Sequence, residues 1–229
     1  MFQIYSFYID DFLTIPIHDE LIALISNERI NKIEKLRRAD DKIRSLYSEL
    51  LARYALKKEF NLEAEDIKFT WNRFSKPLLV GYEDIHFNLS HSDNWIVCAV
   101  GDSPLGVDVE KIELGDNRFI EEVLHLEEIE YIKRFKDNEK NTKYYTFWCL
   151  KEAYGKYMGV GLNYDYQKYS FHQSSQIWTL KSHKSDSWEP LYFQVKRLPG
   201  NYILAVCSPT TLLMKIKQIS LQEVIDFNL

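Results

Sequence analysis

The amino-acid sequence predicts an α+β fold made of two similar halves. Two apolar strands, 94–100 and 201–207, are similar in sequence. Each lies late in its half and follows a polar turn. Helical and strand patterns alternate along both parts. No low-complexity linker separates them, so we expect the halves to pack together as one body. We place the boundary after Asp102, which gives an N-terminal half 1–102 and a C-terminal half 103–229.

The N-terminal half is predicted to begin with a strand, Phe2–Tyr8, followed by three helices. Apolar residues recur at helical spacing in the segments 18–26, 28–38 and 42–60. Short strands are predicted at 67–71 and 85–89, with a turn at 72–77 between them. Ser90–Asn94 is predicted to be a polar loop, and 95–100 a continuous apolar strand that is covered on both faces.

The C-terminal half is predicted to begin with the strand Gly106–Glu110. An acidic helix over 118–135 and an aromatic-rich helix over 144–158 follow, with a polar loop at 137–142 between them. Gly159 and Gly161 end the second helix, as glycine often does. The remaining segments alternate between strands and polar connections, with strands at 169–171, 177–180, 191–197, 202–207 and 215–219, and a short helix at 222–227.

Composition restricts the classes of function. A chain of 229 residues with 45% hydrophobic and 14% aromatic residues is typical of an ordered globular protein. The net charge of −5 does not favour a nucleic-acid partner. No apolar run approaches the roughly 20 residues that cross a bilayer, and the N-terminus lacks the basic region of a signal peptide. Membrane and nucleic-acid partners are therefore not expected.

The three cysteines, Cys98, Cys149 and Cys207, each lie in an apolar run. They lack the spacing of a metal site and have no histidine at a suitable distance. We expect three buried free thiols, which fits a protein of the reducing cytoplasm.

Two carboxylates share one face of the predicted strand Gly106–Glu110. Residues two apart in a strand point the same way, so Asp108 and Glu110 lie opposite Val107 and Val109. Neighbouring carboxylates repel each other unless positive charge lies between them, and Mg²⁺ prefers such oxygen ligands. Alone, the segment fits a solvated strand end at least as well as it fits a cation site.

Glu152 and Lys156 are four residues apart on a predicted helix and therefore share a face. A surface ion pair would contribute little, but most of this helix is apolar. If Glu152 joins Asp108 and Glu110, three carboxylates converge on one cation, with Lys156 one turn away. The sequence contains no Walker A, GxGxxG, GxSxG or HExxH motif.

Four segments, taken in order and spacing, resemble the 4′-phosphopantetheinyl transferases of the Sfp type. The family patterns are a Gly-Lys-Pro turn, F-N-[IL]-S-H-S, G-[IV]-D-[IV]-E and W-x-x-K-E-A-x-x-K-x-x-G-x-G-L. Their counterparts here are Asn72–Pro77, Phe87–Ser92, Gly106–Glu110 and Trp148–Leu162. The resemblance covers nearly the whole chain, and the last two motifs in tandem are highly specific. One departure is Ser75, where the family has glycine.

The resemblance implies two similar α/β halves related by a pseudo-two-fold axis, with the active site in the cleft between them. It also implies transfer of the 4′-phosphopantetheine arm of coenzyme A to a serine of an acyl or peptidyl carrier protein. The by-product would be adenosine 3′,5′-bisphosphate. By motif position, the Mg²⁺ ligands would be Asp108, Glu110 and Glu152. The residues that would contact coenzyme A phosphates are Arg44, Lys76, Ser90, His91 and Lys156.

Positioning and charge neutralisation dominate phosphoryl transfer, so Glu152 and Lys156 are the expected catalytic side chains. Lys156 would neutralise the departing phosphate. Glu152, directly or through a metal-bound water, would accept the serine proton. Glu128 lies near another acidic position of the family.

Two alternatives stay open: a Mg²⁺-dependent hydrolase of a nucleotide pyrophosphate, and a homologue that binds a carrier protein without modifying it. We expect a monomer. The carrier protein would serve fatty acid, polyketide or nonribosomal peptide synthesis.

Overall fold

The computed structural model describes residues 2–12, 15, 17, 19–115, 117–161, 165–174, 177–183, 191–210 and 214–228. The chain divides into two compact units. The first comprises Met1–Asn72, Pro77–Asp102 and Met214–Leu229, and the second comprises Arg73–Lys76 and Ser103–Leu213. Both combine helices with a β-sheet, which is mixed in the first unit and antiparallel in the second, and this confirms the α+β class. Among the described residues, no helix has both the length and the apolar character needed to cross a membrane.

The first unit is a four-stranded sheet covered by a long helix. Its strands, numbered in chain order, are β1 (Phe2–Tyr8), β4 (His86–Ser92), β5 (Trp95–Gly101) and β11 (Ile216–Gln218), and a small hairpin pairs β2 (Phe69–Trp71) with β3 (Pro77–Leu79). Its helices are α1 (Asp19–Ala23), α2 (Asn27–Lys35), α3 (Ala39–Phe60) and α7 (Leu221–Asn228). The sheet order is β11-β1-β5-β4. Every residue of β5 is buried, and α3 packs on this strand.

The C-terminal segment packs against the first unit, whereas the predicted division placed it in the other half. Strand β11 pairs with β1 in parallel, with Ile4 opposite Ile216. Helix α7 packs on α3, where Asn228 Nδ2 donates to Leu50 O at 3.2 Å. The residues 73–76 likewise belong to the second unit. The division therefore follows contacts between segments that are distant in sequence.

The second unit is a five-stranded antiparallel sheet with a helix of 22 residues on it. Its strands are β6 (Gly106–Lys111), β7 (Tyr169–Ser174), β8 (Ile177–Ser182), β9 (Tyr192–Leu198) and β10 (Tyr202–Ser208). They lie in the order β6-β10-β9-β8-β7. The helices are α4 (Arg118–Glu121), α5 (Leu126–Ile132) and α6 (Asp137–Met158), and α6 packs on β6 and β10. Cys98, Cys149 and Cys207 are buried free thiols, as predicted.

The predicted helix over 118–135 is wrong, because the structure has two short helices there. His125 ends the first segment and caps α5: its Nδ1 accepts from Glu127 N at 3.2 Å, and its own N donates to Glu128 Oε2 at 2.8 Å. Helix α6 begins at Asp137, so the predicted loop at 137–142 is also wrong. Its first turns carry polar residues, which gave no apolar signal.

The predicted loop Ser90–Asn94 is mostly strand. Strand β4 continues through Ser92, which pairs with Trp95, and Asp93 and Asn94 form the turn. Asp93 has a φ of 46°, a left-handed conformation that Asp tolerates in tight turns. Polar residues lie on both faces of this strand, so its sequence lacks the alternation of apolar and polar residues that predicts a strand. His18 and Leu162, the ends of a predicted helix and of the last motif, lie outside the described residues.

Candidate active site

Strand β6 and helix α6 approach each other closely at Gly106. A Cβ atom on this residue would lie 2.0 Å from Ala153 O and 2.6 Å from Tyr157 N. Since real Cβ contacts essentially never fall below 3.0 Å, glycine is required for this approach. The contact holds the acidic strand against the helix that carries Glu152 and Lys156.

Three side chains at four-residue spacing, Trp148, Glu152 and Lys156, form one stripe along α6. Lys156 Nζ lies 2.7 Å from Asp108 Oδ1. Trp148 Nε1 donates to Glu110 Oε1 at 3.0 Å. The stripe therefore lies over the acidic face of β6, and the two elements bring together four of the predicted site residues.

The ionisable side chains of this cluster shift one another's pKa values. Burial raises the pKa of Glu152 to about 7, and the neighbouring charge of Asp108 adds to the rise. Burial opposes the charged form of Lys156, but its interactions with Asp108, Glu152 and Glu110 raise its pKa. Among the described residues, the buried Oε1 of Glu152 has no hydrogen-bond partner. A buried carboxylate oxygen in this position is suited to bind a cation.

The donor set of Asp108, Glu110 and Glu152 consists of oxygen atoms, which hard cations such as Mg²⁺ prefer. In this structure, Asp108 is bound by Lys156 and Glu110 by Trp148. Among the described residues, three side chains whose ligand atoms all lie within 4.8 Å of one another are found elsewhere, at His125, Glu127 and His183. Convergence of the three carboxylates on one ion stays a prediction.

Lys76 lies at the C-terminal end of α6, where its Nζ donates to Tyr157 O at 3.1 Å. Burial lowers its pKa to about 8. The preceding Ser75 has a φ of 66°. This left-handed conformation favours glycine, which explains why a glycine suits this position of the family pattern. The turn thus forms in this chain despite the substitution.

The other predicted coenzyme A contacts, Arg44, Ser90 and His91, lie in the first unit. The buried guanidinium of Arg44 contacts Asp41 Oδ1 at 2.6 Å and Asp40 Oδ2 at 2.9 Å. Ser90 is buried and His91 is exposed, as expected for neighbours on strand β4. Their contacts with coenzyme A stay a prediction.

A buried ion pair that sequence reasoning missed joins Lys151 to Glu128. Lys151 Nζ lies 2.9 Å from Glu128 Oε2 and also donates to the carbonyl oxygens of Tyr166 and Tyr169 at 3.0 and 2.8 Å. Glu128 Oε1 accepts from Phe171 N at 2.9 Å. Both side chains are 1% exposed. The pair therefore fastens α5 and β7 to α6.

Tyr166 is a second residue that sequence reasoning missed. Its hydroxyl group donates to Gly161 O at 3.1 Å, and its side chain also interacts with Glu152. A Cβ on Gly155 would lie 2.1 Å from this hydroxyl oxygen. A glycine inside a helix was the available signal, because it indicates that another group approaches closely.

Comparisons with known proteins show the family of the chain. A model of the 4′-phosphopantetheinyl transferase superfamily matches residues 104–207, and one of the N-terminal part of 4′-phosphopantetheinyl transferases matches residues 16–103. The 4′-phosphopantetheinyl transferase Sfp of Bacillus subtilis strain 168 is 29% identical over 214 residues, 90% of this chain and 92% of the relative. The transferase gsp of Aneurinibacillus migulanus is 30% identical over 188 residues, 82% of this chain and 78% of the relative. The chain therefore belongs to the 4′-phosphopantetheinyl transferases, as its motifs predicted.

Proposed function

We propose that this enzyme transfers the 4′-phosphopantetheine arm of coenzyme A to a serine of an acyl or peptidyl carrier protein. The reaction depends on Mg²⁺ and releases adenosine 3′,5′-bisphosphate. The observation that carries the proposal is the meeting of Asp108, Glu110, Glu152 and Lys156 between β6 and α6, in a chain of this family.

Asp108, Glu110 and Glu152 would hold the Mg²⁺ ion. Their fit rests on three oxygen donors and on the buried Oε1 of Glu152, which has no hydrogen-bond partner among the described residues. When bound, the ion neutralises charge on the phosphate oxygens. Lys156, held by Asp108, then supplies positive charge for the departing phosphate. Lys76 provides a second, partly buried amine at the same end of α6.

The serine proton has two candidate acceptors, Glu152 and a water molecule beside it. Glu128 is a poor candidate, because its oxygens are occupied by Lys151 and by two backbone N–H groups. Glu152 differs, since one of its oxygens accepts no hydrogen bond from the described residues. A carboxylate that also binds a cation is a weaker base, so the route through water is consistent with the same arrangement.

Arg44, Ser90 and His91 of the first unit complete the proposal as ligands of coenzyme A phosphates. Arg44 contacts Asp40, Asp41 and the carbonyl oxygen of Asp93. These acceptors fix the direction of the guanidinium. A phosphate would compete with the two carboxylates for the N–H groups of the guanidinium.

The function is tested by incubating the protein with coenzyme A and a panel of apo carrier proteins, with and without Mg²⁺. Mass spectrometry should detect the added arm on at least one carrier, only when Mg²⁺ is present. Cleavage of coenzyme A without modification of any carrier would favour a hydrolase. Carrier binding without either reaction would favour a non-catalytic homologue.

Asp108→Ala is expected to abolish transfer, because it removes a proposed metal ligand and the partner of Lys156. Circular dichroism should show a retained fold, and Asp66→Ala, an exposed aspartate in the first unit, should retain transfer. Full activity of Asp108→Ala would contradict the metal assignment.

A further inference from the structure

Helix α6 contains a glycine, Gly155, at a position where a buried side chain from another segment reaches the helix. Glycine weakens the interior of a helix relative to alanine, so it is favoured there only when a larger residue does not fit. A Cβ atom on Gly155 would lie 2.1 Å from the hydroxyl oxygen of Tyr166 and 3.1 Å from Cζ of its ring. Gly155 therefore makes room for the buried phenol group of Tyr166.

The Tyr166 hydroxyl group lies beside the carboxyl group of Glu152. Gly155 follows Glu152 by three residues, so the two share one face of α6. The hydroxyl group hydrogen-bonds to Glu152 and lies 3.1 Å from Gly161 O, just after the helix. Burial raises the pKa of Glu152 to about 7, and the hydrogen bond from Tyr166 opposes this rise because it stabilises the carboxylate.

The backbone of Tyr166 is held independently of its side chain. Tyr166 begins a short 3₁₀ helix, Tyr166–Lys168, which leads into β7. Lys151 Nζ donates to Tyr166 O at 3.0 Å and to Tyr169 O at 2.8 Å. Lys151 is itself held by Glu128 at 2.9 Å. The phenol ring therefore extends toward α6 from a segment that is fixed at both ends.

We propose that Tyr166 is a positioning residue for the transfer reaction, because its hydroxyl group orients Glu152 as a ligand of the metal ion. This inference rests on the proposed function of Glu152 as a Mg²⁺ ligand. Carboxylates that bind a metal ion are commonly held by hydrogen bonds, and the loss of such a bond reduces metal affinity or activity by about 10–100-fold. Among the described residues, Glu152 Oε1 has no hydrogen-bond partner, so one oxygen atom of the oriented carboxylate is left for the ion.

The close fit of Gly155 and Tyr166 allows the hydroxyl group to be removed without leaving a gap. Tyr166→Phe keeps the ring and opens space beside Gly155. In the double variant with Gly155→Ala, the new methyl group fills this space, at 3.1 Å from Cζ and 3.3 Å from Cε1 of the ring, and a shift of a few tenths of an ångström relieves the contact. The double variant also has the better helix-forming residue in α6.

The test measures metal binding and transfer separately. Mn²⁺ replaces Mg²⁺, because it prefers similar oxygen ligands and its free form is measured by electron paramagnetic resonance. Wild-type protein and variants are titrated with Mn²⁺ in the presence of coenzyme A, and transfer to an apo carrier protein is measured at saturating Mn²⁺. Tyr166→Phe should weaken Mn²⁺ binding and lower kcat by at least about tenfold each, with an unchanged KM for the carrier protein and a retained fold by circular dichroism.

The double variant distinguishes orientation of Glu152 from simple packing. Both losses should persist in it, although its melting temperature should equal or exceed that of Tyr166→Phe. Recovery of Mn²⁺ binding and transfer in the double variant would show that the phenol group only fills space, and this result overturns the proposal. The control is Tyr54→Phe in the first unit, which removes a hydroxyl group that donates to Glu223 at 2.6 Å. It should change neither quantity, and losses of the same size there would also overturn the proposal.

Failure of this inference is distinguishable from failure of the proposed function. If wild-type protein modifies a carrier protein and Tyr166→Phe matches it in Mn²⁺ binding and kcat, only the role of Tyr166 is overturned. If wild-type protein modifies no carrier protein, the proposed function fails. The Mn²⁺ titration still decides the role of Tyr166 in that case: weaker binding by Tyr166→Phe and by the double variant supports it, and equal binding overturns it.

Discussion

Replacing Gly106 with alanine tests whether the contact between β6 and α6 creates the active site. The new methyl group would lie 2.0 Å from Ala153 O, and this atom belongs to the helix backbone. Contacts of this kind are essentially never shorter than 3.0 Å, so the strand and the helix must separate by about 1 Å or more. Neither partner can turn aside as a flexible side chain would.

A shift of this size changes the relation of Asp108 to Lys156, which are 2.7 Å apart on the two elements. A misplacement of 1 Å in an active site reduces rates by about 100-fold. We expect Gly106→Ala to lose transfer by at least that factor. The assay is single-turnover modification of an apo carrier protein, followed by mass spectrometry.

The control is Gly81→Ala, at a glycine of the first unit where a Cβ would meet no atom within 4 Å. Gly81 has a φ of 81°, so this change strains the backbone without a steric contact. It should lower the melting temperature modestly and keep the transfer rate. If Gly106→Ala is folded by circular dichroism and transfers at the wild-type rate, the close approach does not create the site.

Trp148→Phe removes the hydrogen bond to Glu110 and keeps an aromatic ring. The Mg²⁺ concentration for half-maximal transfer should therefore rise several-fold, with little loss of stability. An unchanged Mg²⁺ concentration would contradict a role of Trp148 in positioning Glu110. Lys151→Met leaves Glu128 buried without its cation and should cost about 3–5 kcal/mol in urea unfolding. The double change with Glu128→Leu removes the unpaired charge and should recover part of this loss, because the backbone groups that the pair binds still lose their partners. Burial raises the pKa of the Tyr54 phenol in the folded protein. The unfolded chain therefore loses this proton at a lower pH, and the free energy of unfolding falls as the pH rises above about 10. Tyr54→Phe should make this fall less steep, as measured by urea unfolding at several pH values.

The sequence was sufficient to predict the family and the α+β class. Alternation in Gly106–Glu110 placed two carboxylates on one face, and four-residue spacing placed Glu152 and Lys156 together. Both patterns depend on local geometry, because the spacing of residues in the sequence determines which face of a strand or helix they share. The order of the four motifs then related segments that are far apart in the chain.

Long-range pairing explains most of what could not be predicted. The strand β11 joins β1 across more than 200 residues, as in the pair Ile4 and Ile216, and no local pattern indicates its partner. The strand character of Ser90 and His91 is likewise fixed by pairing with β5, because their polar side chains are typical of a loop. Sequence patterns identify a strand more readily than they identify its neighbour.

The two neighbours Lys151 and Glu152 show why the type of a residue alone does not indicate whether it belongs to the structural core or to the candidate active site. One residue along a helix is a rotation of about 100°, so the two side chains point into different surroundings. Glu152 shares its face with Trp148 and Lys156 and lies over β6, whereas Lys151 points to Glu128 and two backbone carbonyl groups. Lys151 is buried and Glu152 is partly buried. The Oε1 atom of Glu152 has no hydrogen-bond partner among the described residues. Lys151 therefore fixes the position of α6, which allows Glu152 and Lys156 to meet Asp108 in a defined arrangement.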